Sequence, residues 1–369
     1  MNTIRGPRLA VVGCGDVALR RYLPTLAEMA PSVELVACCD ADTRRARAAV
    51  AASAGWAPRA RAARDVCEVA RSERLDGAFC LTPPNAHAEV TAACLEAGLH
   101  VFSEKPLATD LDAARALVAA AESRSALLLC APAVMATARF RWLSGLLASG
   151  RLGRVTLATG QLANLGPAAW DAYTGDVAAY YRAGGGPLLD QGVYVLHAIV
   201  GLLGPVRRLQ AFAATAIPHR TSTARAAPGA TIAVDVPDHW LLQLDFGDGV
   251  LGQVLSSYAV PASRAPLLEL HGERGSVSIA EAPPLTDAGP VDLYVGGRWV
   301  DGARPPAPPR AGDSMIGVGV AHFVDCLTGR ERPLLEADRA LHVLEIALRA
   351  EKSAARGEAL PLRTSFPWP

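Results

Sequence analysis

The sequence predicts an α/β protein: an amino-terminal doubly wound parallel sheet, then an α+β domain built on one large, mainly antiparallel, open-faced sheet. Three observations carry this. Apolar strands alternate with helical segments from Arg8 to Cys130, the rhythm of a parallel sheet with crossover helices. The first strand ends in a glycine turn, Gly13-Cys14-Gly15-Asp16-Val17-Ala18. After residue 133 the pattern changes to paired β runs separated by glycine turns. The expected division is 1–133 and 134–369.

Arg8 to Val12 reads as the first strand, and the turn after it is the GxGxxA form of the Rossmann fingerprint. Gly13 serves the tight turn, Gly15 lets the backbone approach a pyrophosphate, and Ala18 lets helix and strand pack closely. A helix from about Asp16 to Met29 then aims the N–H groups near Asp16 and Val17 at the phosphates. The second strand, Val33 to Cys39, ends at Asp40, the interval expected for the acid on the adenosine ribose. A carboxylate there favours NAD. Arg44 and Arg45, just beyond, are placed to meet the 2′-phosphate of NADP, and Asp40 also reads as a helix N-cap.

Strands follow at Gly77–Leu81, Leu99–Phe102 and Ala126–Cys130, with helices at Asn85–Ala97 and Asp110–Glu122. Two loops fall on the carboxyl edge of that sheet, where ligands bind in open α/β folds. One is Leu81-Thr82-Pro83-Pro84-Asn85-Ala86-His87, in which His87 reads either as a helix-start residue without chemistry or as part of the cofactor loop. The other is Ser103-Glu104-Lys105-Pro106. Pro106 keeps Lys105 out of helical geometry, so the lysine sits on a turn with Glu104 as its neighbour.

In the second half, Arg139–Gly150 reads as a helix and Arg154–Gln161 as a strand. Gly184-Gly185-Gly186-Pro187 then opens a helix expected to run to about Leu203. Asp190, Tyr194 and His197 fall at i, i+4 and i+7, one polar stripe, which fits either an exposed face or an active-site face. Trp170, Tyr173, Tyr180 and Tyr181, just upstream, suit either the wall of a sugar-binding site or core packing. Hairpins follow around Gly247-Asp248-Gly249, Gly272–Gly275 and Gly296-Gly297, an antiparallel meander. Arg304–Arg310 is proline-rich, and two helices, Ser314–Thr328 and Ala337–Arg356, close the chain.

Among 369 residues, 36 Lys and Arg balance 36 Asp and Glu, so no net field draws in nucleic acid or an anionic membrane. The segment Met1–Pro7 lacks the apolar core of a secretory signal, and no apolar run reaches the ~18 residues needed to span a bilayer. The eight cysteines form no CxxC pair, which predicts buried reduced thiols in a cytoplasmic protein without a metal site.

Four motifs in this order, GCGDVA at 13–18, TPPNAH at 82–87, AGLHVFSEKP at 97–106 and GGGPLLDQGVY at 184–194, resemble the Gfo/Idh/MocA family of oxidoreductases across nearly the whole chain. Many members of that family carry histidine where this chain has Tyr194, and the tyrosine resembles the glucose–fructose oxidoreductase and dihydrodiol dehydrogenase branches. The run Ala131-Pro132-Ala133-Val134 departs from relatives that place a basic residue there. The resemblance implies an NAD(P)-dependent dehydrogenase or ketoreductase acting on a polyhydroxylated small molecule, namely a sugar, sugar derivative or cyclitol. It implies Lys105, Asp190 and Tyr194 as catalytic residues. It implies a cofactor contact set of Gly13, Gly15, Asp16, Val17, Asp40, Arg44, Thr82, Pro83, Asn85, His87, Glu104 and Lys105. His197, Trp170, Tyr173 and Tyr181 are the substrate candidates. A homodimer or homotetramer is expected. Two other readings share the fold: a non-catalytic NAD-binding regulator that responds to sugars, and a redox-neutral NAD-dependent glycosidase.

Overall fold

The computed structural model describes residues 6–30, 32–280, 291–303 and 314–368. The start of the chain and the proline-rich stretch Arg304–Arg310 lie outside them.

Six short strands form the first sheet: β1 (Arg8–Val12), β2 (Glu34–Cys39), β3 (Arg61–Ala63), β4 (Gly77–Cys80), β5 (His100–Ser103) and β6 (Leu128–Cys130). Their order is β3-β2-β1-β4-β5-β6 and every pairing is parallel. The direction of winding reverses between β1 and β4, which places a crevice at their carboxyl ends. The glycine turn leaves β1 there and the Thr82 loop leaves β4. Buried on both faces, β4 and β5 read as short runs of apolar and small residues. The edge strand β3 and the helix Val66–Ser72 have no counterpart in the sequence reading. Arg-Ala-Ala has neither β-branched residues nor alternation, so β3 exists because β2 offers it an edge.

The compact units do not follow a single cut at residue 133. The first comprises Met1–Thr137 and Pro308–Leu344; the second comprises Ala138–Ala307 and Glu345–Pro369. The physical reason for the return is the helix Met315–Leu327, whose Phe323 packs against Phe79 and Phe102 at ring-centroid distances of 5.2 and 5.9 Å. Tyr22 completes this aromatic cluster, 5.6 Å from Phe79 and 6.3 Å from Phe102. Two helices expected as regular α widen locally into a π turn, at Ala18–Tyr22 and at Leu188–Gly192. Such turns recur at functional positions.

In the second unit, the nine strands run in the order Arg298–Ala303, Val291–Val295, Gly275–Ile279, Leu268–Gly272, Val155–Ala163, Val250–Ser257, His239–Gly247, Arg208–Ala214 and Leu360–Pro361. The three expected hairpins are present, and Gly296 and Gly297 both take positive φ, as a two-residue turn between twisted strands requires. The meander is interrupted, however. Val155–Ala163 inserts between two hairpins, parallel to Val250–Ser257 and antiparallel to Leu268–Gly272. The helix Val193–Leu203 lies over this strand because Gly160 leaves room; a Cβ there would run into Val195. The other face of the sheet carries apolar residues in the open: Phe212, 65% exposed, opposite Leu241, and Leu251 opposite Leu157.

The carboxyl-terminal segment is tied down by Glu345, which is fully buried. It accepts hydrogen bonds from the Arg349 guanidinium, the Thr364 hydroxyl, and the backbone N–H groups of Arg363 and Thr364. Burial alone would raise its pKa, but these donors outweigh it and hold the group at about 2, against an ordinary 4.5. A carboxylate held below its unfolded value contributes stability that is present above pH 4.5 and lost as pH falls toward 2. Glu345→Gln should therefore cost about 1–3 kcal/mol at neutral pH. It should also flatten the acid limb of the stability curve, as measured by urea unfolding at several pH values.

Candidate active site: a cofactor edge and a substrate helix

The first unit supplies a cradle at the carboxyl edge of its sheet. Gly13 takes φ +91°, and a Cβ there would sit 2.6 Å from the Leu81 carbonyl carbon and the Thr82 nitrogen. The glycine turn and the Thr82 loop thus touch backbone to backbone, and only glycine permits it. A Cβ on Gly15 would meet nothing within 4 Å, so the turn is open where a pyrophosphate has to approach. The residues present fit a dinucleotide. Beside the turn, Asp16 pairs with Arg20 at 2.6 Å and Val17 is exposed.

Asp40 lies where the spacing predicts, at the end of β2, but the N-cap of the following helix is Asp42. Asp40 instead ties two segments together: Oδ2 accepts from the Cys14 N–H at 2.8 Å and Oδ1 from the Asp42 N–H at 2.8 Å. Each oxygen keeps a second acceptor direction for a ribose hydroxyl. The Arg44 guanidinium is engaged by Asp42 at 2.9 Å, a pairing that lowers the carboxyl pKa and raises that of the guanidinium. Two thiols near the turn are shifted away from the thiolate. Hydrogen bonding to Cys38 and burial push Cys14 up, and burial pushes Cys39 to about 12.

Pro83 and Asn85 are exposed on the second loop, and Thr82 is half-buried. His87 lies inside, 1% exposed, with Nε2 2.7 Å from the Thr82 carbonyl oxygen and Nδ1 2.6 Å from that of Pro106. The residue opens the helix His87–Glu96, as the helix-start reading has it, and its ring is committed to protein backbone on two loops, which the sequence does not show. Glu104 is a splice as well: Oε1 accepts from the Tyr22 hydroxyl at 2.7 Å and Oε2 from the Lys105 N–H at 3.0 Å. Lys105 follows on the turn, half-buried.

The second unit presents Asp190 and Tyr194, both half-buried, with His197 buried further along the same helix. A buried frame fixes this helix start. Gln191 donates to the carbonyls of Leu162 and Ser257 and accepts from Asn164, while the Ser256 hydroxyl donates to the Pro187 carbonyl. Asp190 Oδ2 accepts from the hydroxyl of Tyr258 at 2.7 Å. Tyr258 is fully buried, and burial followed by the charge of Asp190 pushes its pKa well up, so it stays a donor. Tyr180 is pushed up by the same two causes in the same order, with the Tyr173 hydroxyl donating to it at 3.3 Å.

The aromatic candidates divide. Trp170, Tyr173 and Tyr180 form an edge-to-face trio with centroids 5.7 to 6.2 Å apart, and Trp170 is partly open to solvent. Tyr181 is core. It is fully buried against Tyr258, its oxygen accepts from the Ala168 N–H, and the Arg220 guanidinium lies 5.3 Å over its ring. It therefore packs rather than lining a substrate wall. Tyr22 and Tyr258 were missed because each sits in an ordinary apolar segment, where nothing local marks a hydroxyl as the partner of a distant carboxylate. Among the described residues no group of three or more acidic, histidine or cysteine side chains is placed to hold a metal, and no helix is long and apolar enough to cross a membrane. No disulfide joins the eight cysteines.

Comparison with known proteins bears on the family and the fold. Residues 7–131 match a family model described as an oxidoreductase family with an NAD-binding Rossmann fold, and residues 140–278 match the GFO/IDH/MocA C-terminal domain. The chain is 28% identical over 297 residues to dTDP-3,4-didehydro-2,6-dideoxy-alpha-D-glucose 3-reductase of Streptomyces antibioticus, covering 75% of this chain and 84% of that protein. It is 27% identical to D-apiose dehydrogenase of Paraburkholderia graminis, covering 98% and 92% of the two chains. In fold it is similar to aldose-aldose oxidoreductase from Caulobacter crescentus, with TM-score 0.77, 22% identity, and coverage of 97% and 100%.

The Tyr22–Glu104 bond yields a direct test. Tyr22→Phe keeps the ring in the aromatic cluster and leaves a carboxylate oxygen short of a donor. It should cost about 1–3 kcal/mol, read as a lower thermal midpoint. An unchanged midpoint would show that Glu104 needs no such anchor.

Proposed function

The chain belongs to the Gfo/Idh/MocA family of NAD-binding oxidoreductases, and on that premise we propose the following reaction. The protein transfers hydride between a nicotinamide and a carbinol or ketone carbon of a sugar, sugar derivative or cyclitol, with Lys105 and Tyr194 handling the proton. The observation that carries this is the pinned turn. Tyr22 and Glu104 hold the backbone of Lys105 at the carboxyl end of β5, on the sheet edge that also bears the open glycine turn.

Bound NAD supplies the hydride acceptor, or as NADH the donor. The protein supplies the rest. The glycine turn, with Asp16 and Val17 at the start of its helix, receives the pyrophosphate, and Asp40 receives the ribose hydroxyls. The Asp40 carboxylate repels a 2′-phosphate and Arg44 is already engaged, which supports NAD as the preferred cofactor over NADP. Thr82, Pro83 and Asn85 border the nicotinamide end.

In the oxidising direction the carbinol C–H leaves as hydride and the hydroxyl proton goes to Tyr194; reduction runs the same path backward. Free tyrosine has a pKa near ~10, and an ammonium group stabilises its phenolate, bringing it toward working pH. Lys105 is that cation and the hydrogen-bond donor to the reacting oxygen. Asp190 accepts from a neighbouring substrate hydroxyl, with Tyr258 holding one of its oxygens. Trp170 and Tyr173 border the sugar ring, and His197 supports Tyr194 from one turn further along. The exposed row of Phe212, Leu241, Leu251 and Leu157 supports a homodimer or homotetramer built on the open sheet face. Eight cysteines without a disulfide suit a reducing cytoplasm.

Screening sugars, nucleotide-linked sugars and inositols with NAD and NADP, by the absorbance of reduced nicotinamide, should give net turnover. Glycoside cleavage without net turnover would favour the glycosidase reading, and binding without chemistry the regulator. Lys105→Ala and Tyr194→Phe should each lower kcat at least ~100-fold; near-normal turnover in both would overturn the assignment. Phe212→Lys should shift the mass measured by light scattering toward the monomer while leaving kcat per subunit within about twofold, since lone surface changes are near neutral.

A further inference from the structure

We infer that His87 is a positioning residue that works as an imidazolium, clamping the cofactor loop at Thr82 to the turn that carries Lys105. Both of its ring nitrogens point at backbone carbonyl oxygens, Nε2 at Thr82 and Nδ1 at Pro106, at 2.7 and 2.6 Å. A carbonyl oxygen only accepts, and a neutral imidazole carries a single N–H. In either neutral tautomer, one bare lone pair would face a carbonyl lone pair at hydrogen-bond distance, with the ring 1% exposed and water kept away. A hydrogen on each nitrogen removes the conflict. Both distances fall at or below the ~2.7–2.9 Å typical of charge-assisted bonds.

The surroundings are consistent with a lone internal cation. The loop supplying the Thr82 carbonyl has no titratable residue between Cys80 and His87. The turn supplying Pro106 carries Glu104 and Lys105, and the Glu104 carboxylate is engaged by Tyr22 and by the Lys105 N–H. On its own helix, Glu89 lies in the first turn. His87 opens that helix, whose amino end opposes a positive charge. Two charge-assisted bonds outweigh this partial charge.

The consequence reaches the chemistry through Lys105. Glu104 fixes the amide side of the lysine and His87 fixes the carbonyl of the residue after it. The turn is thus held on both sides of the reacting cation, and in register with the loop at the nicotinamide end. The link to catalysis rests on the proposed role of Lys105; the protonation state of His87 does not.

The test has two arms. Nitrogen-15 NMR of histidine-labelled wild-type protein at pH 7, with His87 assigned by comparison with His87→Gln, should show hydrogens on both ring nitrogens. One bare nitrogen would overturn the proposal. In the second arm, His87→Leu should lower kcat ~10- to 100-fold, the scale of a misplaced catalytic group. The kinetic isotope effect with 4-deuterated reduced nicotinamide should rise, because hydride transfer becomes rate-limiting. A variant that only loses active fraction and thermal stability, with an unchanged isotope effect, would show a purely structural ring and overturn the positioning role. If His87→Leu does not fold, His87→Gln serves in the same measurement. Full turnover in Lys105→Ala would defeat the proposed reaction and leave the NMR result standing, so the two failures are distinguishable.

Discussion

Strands that stop at a ligand-binding edge leave backbone N–H and C=O groups without ladder partners, and these must be met by something other than the sheet. In this protein, side chains meet them. Asp40 takes the N–H groups of Cys14 and Asp42, Glu104 takes that of Lys105, and the ring nitrogens of His87 lie at hydrogen-bond distance from the carbonyls of Thr82 and Pro106. The loops after β1 and β2 are thereby joined to each other, and so are the loops after β4 and β5. The glycine at 13 is the steric counterpart of the same constraint, since its turn meets Leu81 and Thr82 with no room for a side chain. Residues that read as ligand contacts are, first of all, the braces of the loops on which a ligand would rest.

The candidate substrate helix obeys the same rule with different residues. Gln191, Asn164 and Ser256 hold its first turn to the sheet, and Tyr258 holds Asp190. Burial, followed by the charge of Asp190, pushes the phenols of Tyr258 and Tyr180 up; Tyr258 donates to Asp190, while Tyr180 accepts from Tyr173. Beneath them, Tyr181 and the buried Arg220–Asp238 pair, 2.6 Å apart, extend the support into the core. A buried pair of this kind adds little net stability while strongly penalising its own disruption, which suits a fixed support. Preorganisation of this sort lets a carboxylate or a lysine act without first being brought into place.

The loops after β4 and β5 also rest on a shared aromatic base. Phe79 and Phe102 belong to β4 and β5, Tyr22 to the π turn after the glycine motif, and Phe323 to a helix more than two hundred residues later. The hydroxyl of Tyr22 leaves this apolar cluster to reach Glu104. One side chain therefore links core packing to the position of the lysine turn.

The linear order of residues determined the Rossmann sheet, the glycine turn, the Asp40 interval, the helix bearing Asp190 and Tyr194, and the three hairpins. Each of these is encoded by short-range terms: apolar periodicity, glycine where φ must be positive, proline where a helix must start or stop. The tertiary structure decided everything that depends on partners far apart in sequence. It brought Phe323 and its helix back to the first unit, inserted Val155–Ala163 into the meander, and turned Tyr181 into core. It also made His87 a brace between two loops and gave Glu104 and Asp190 their tyrosine donors. A motif marks which residue stands at an edge; which backbone group or hydroxyl reaches it is settled only when the chain packs and every buried polar group has to find a partner.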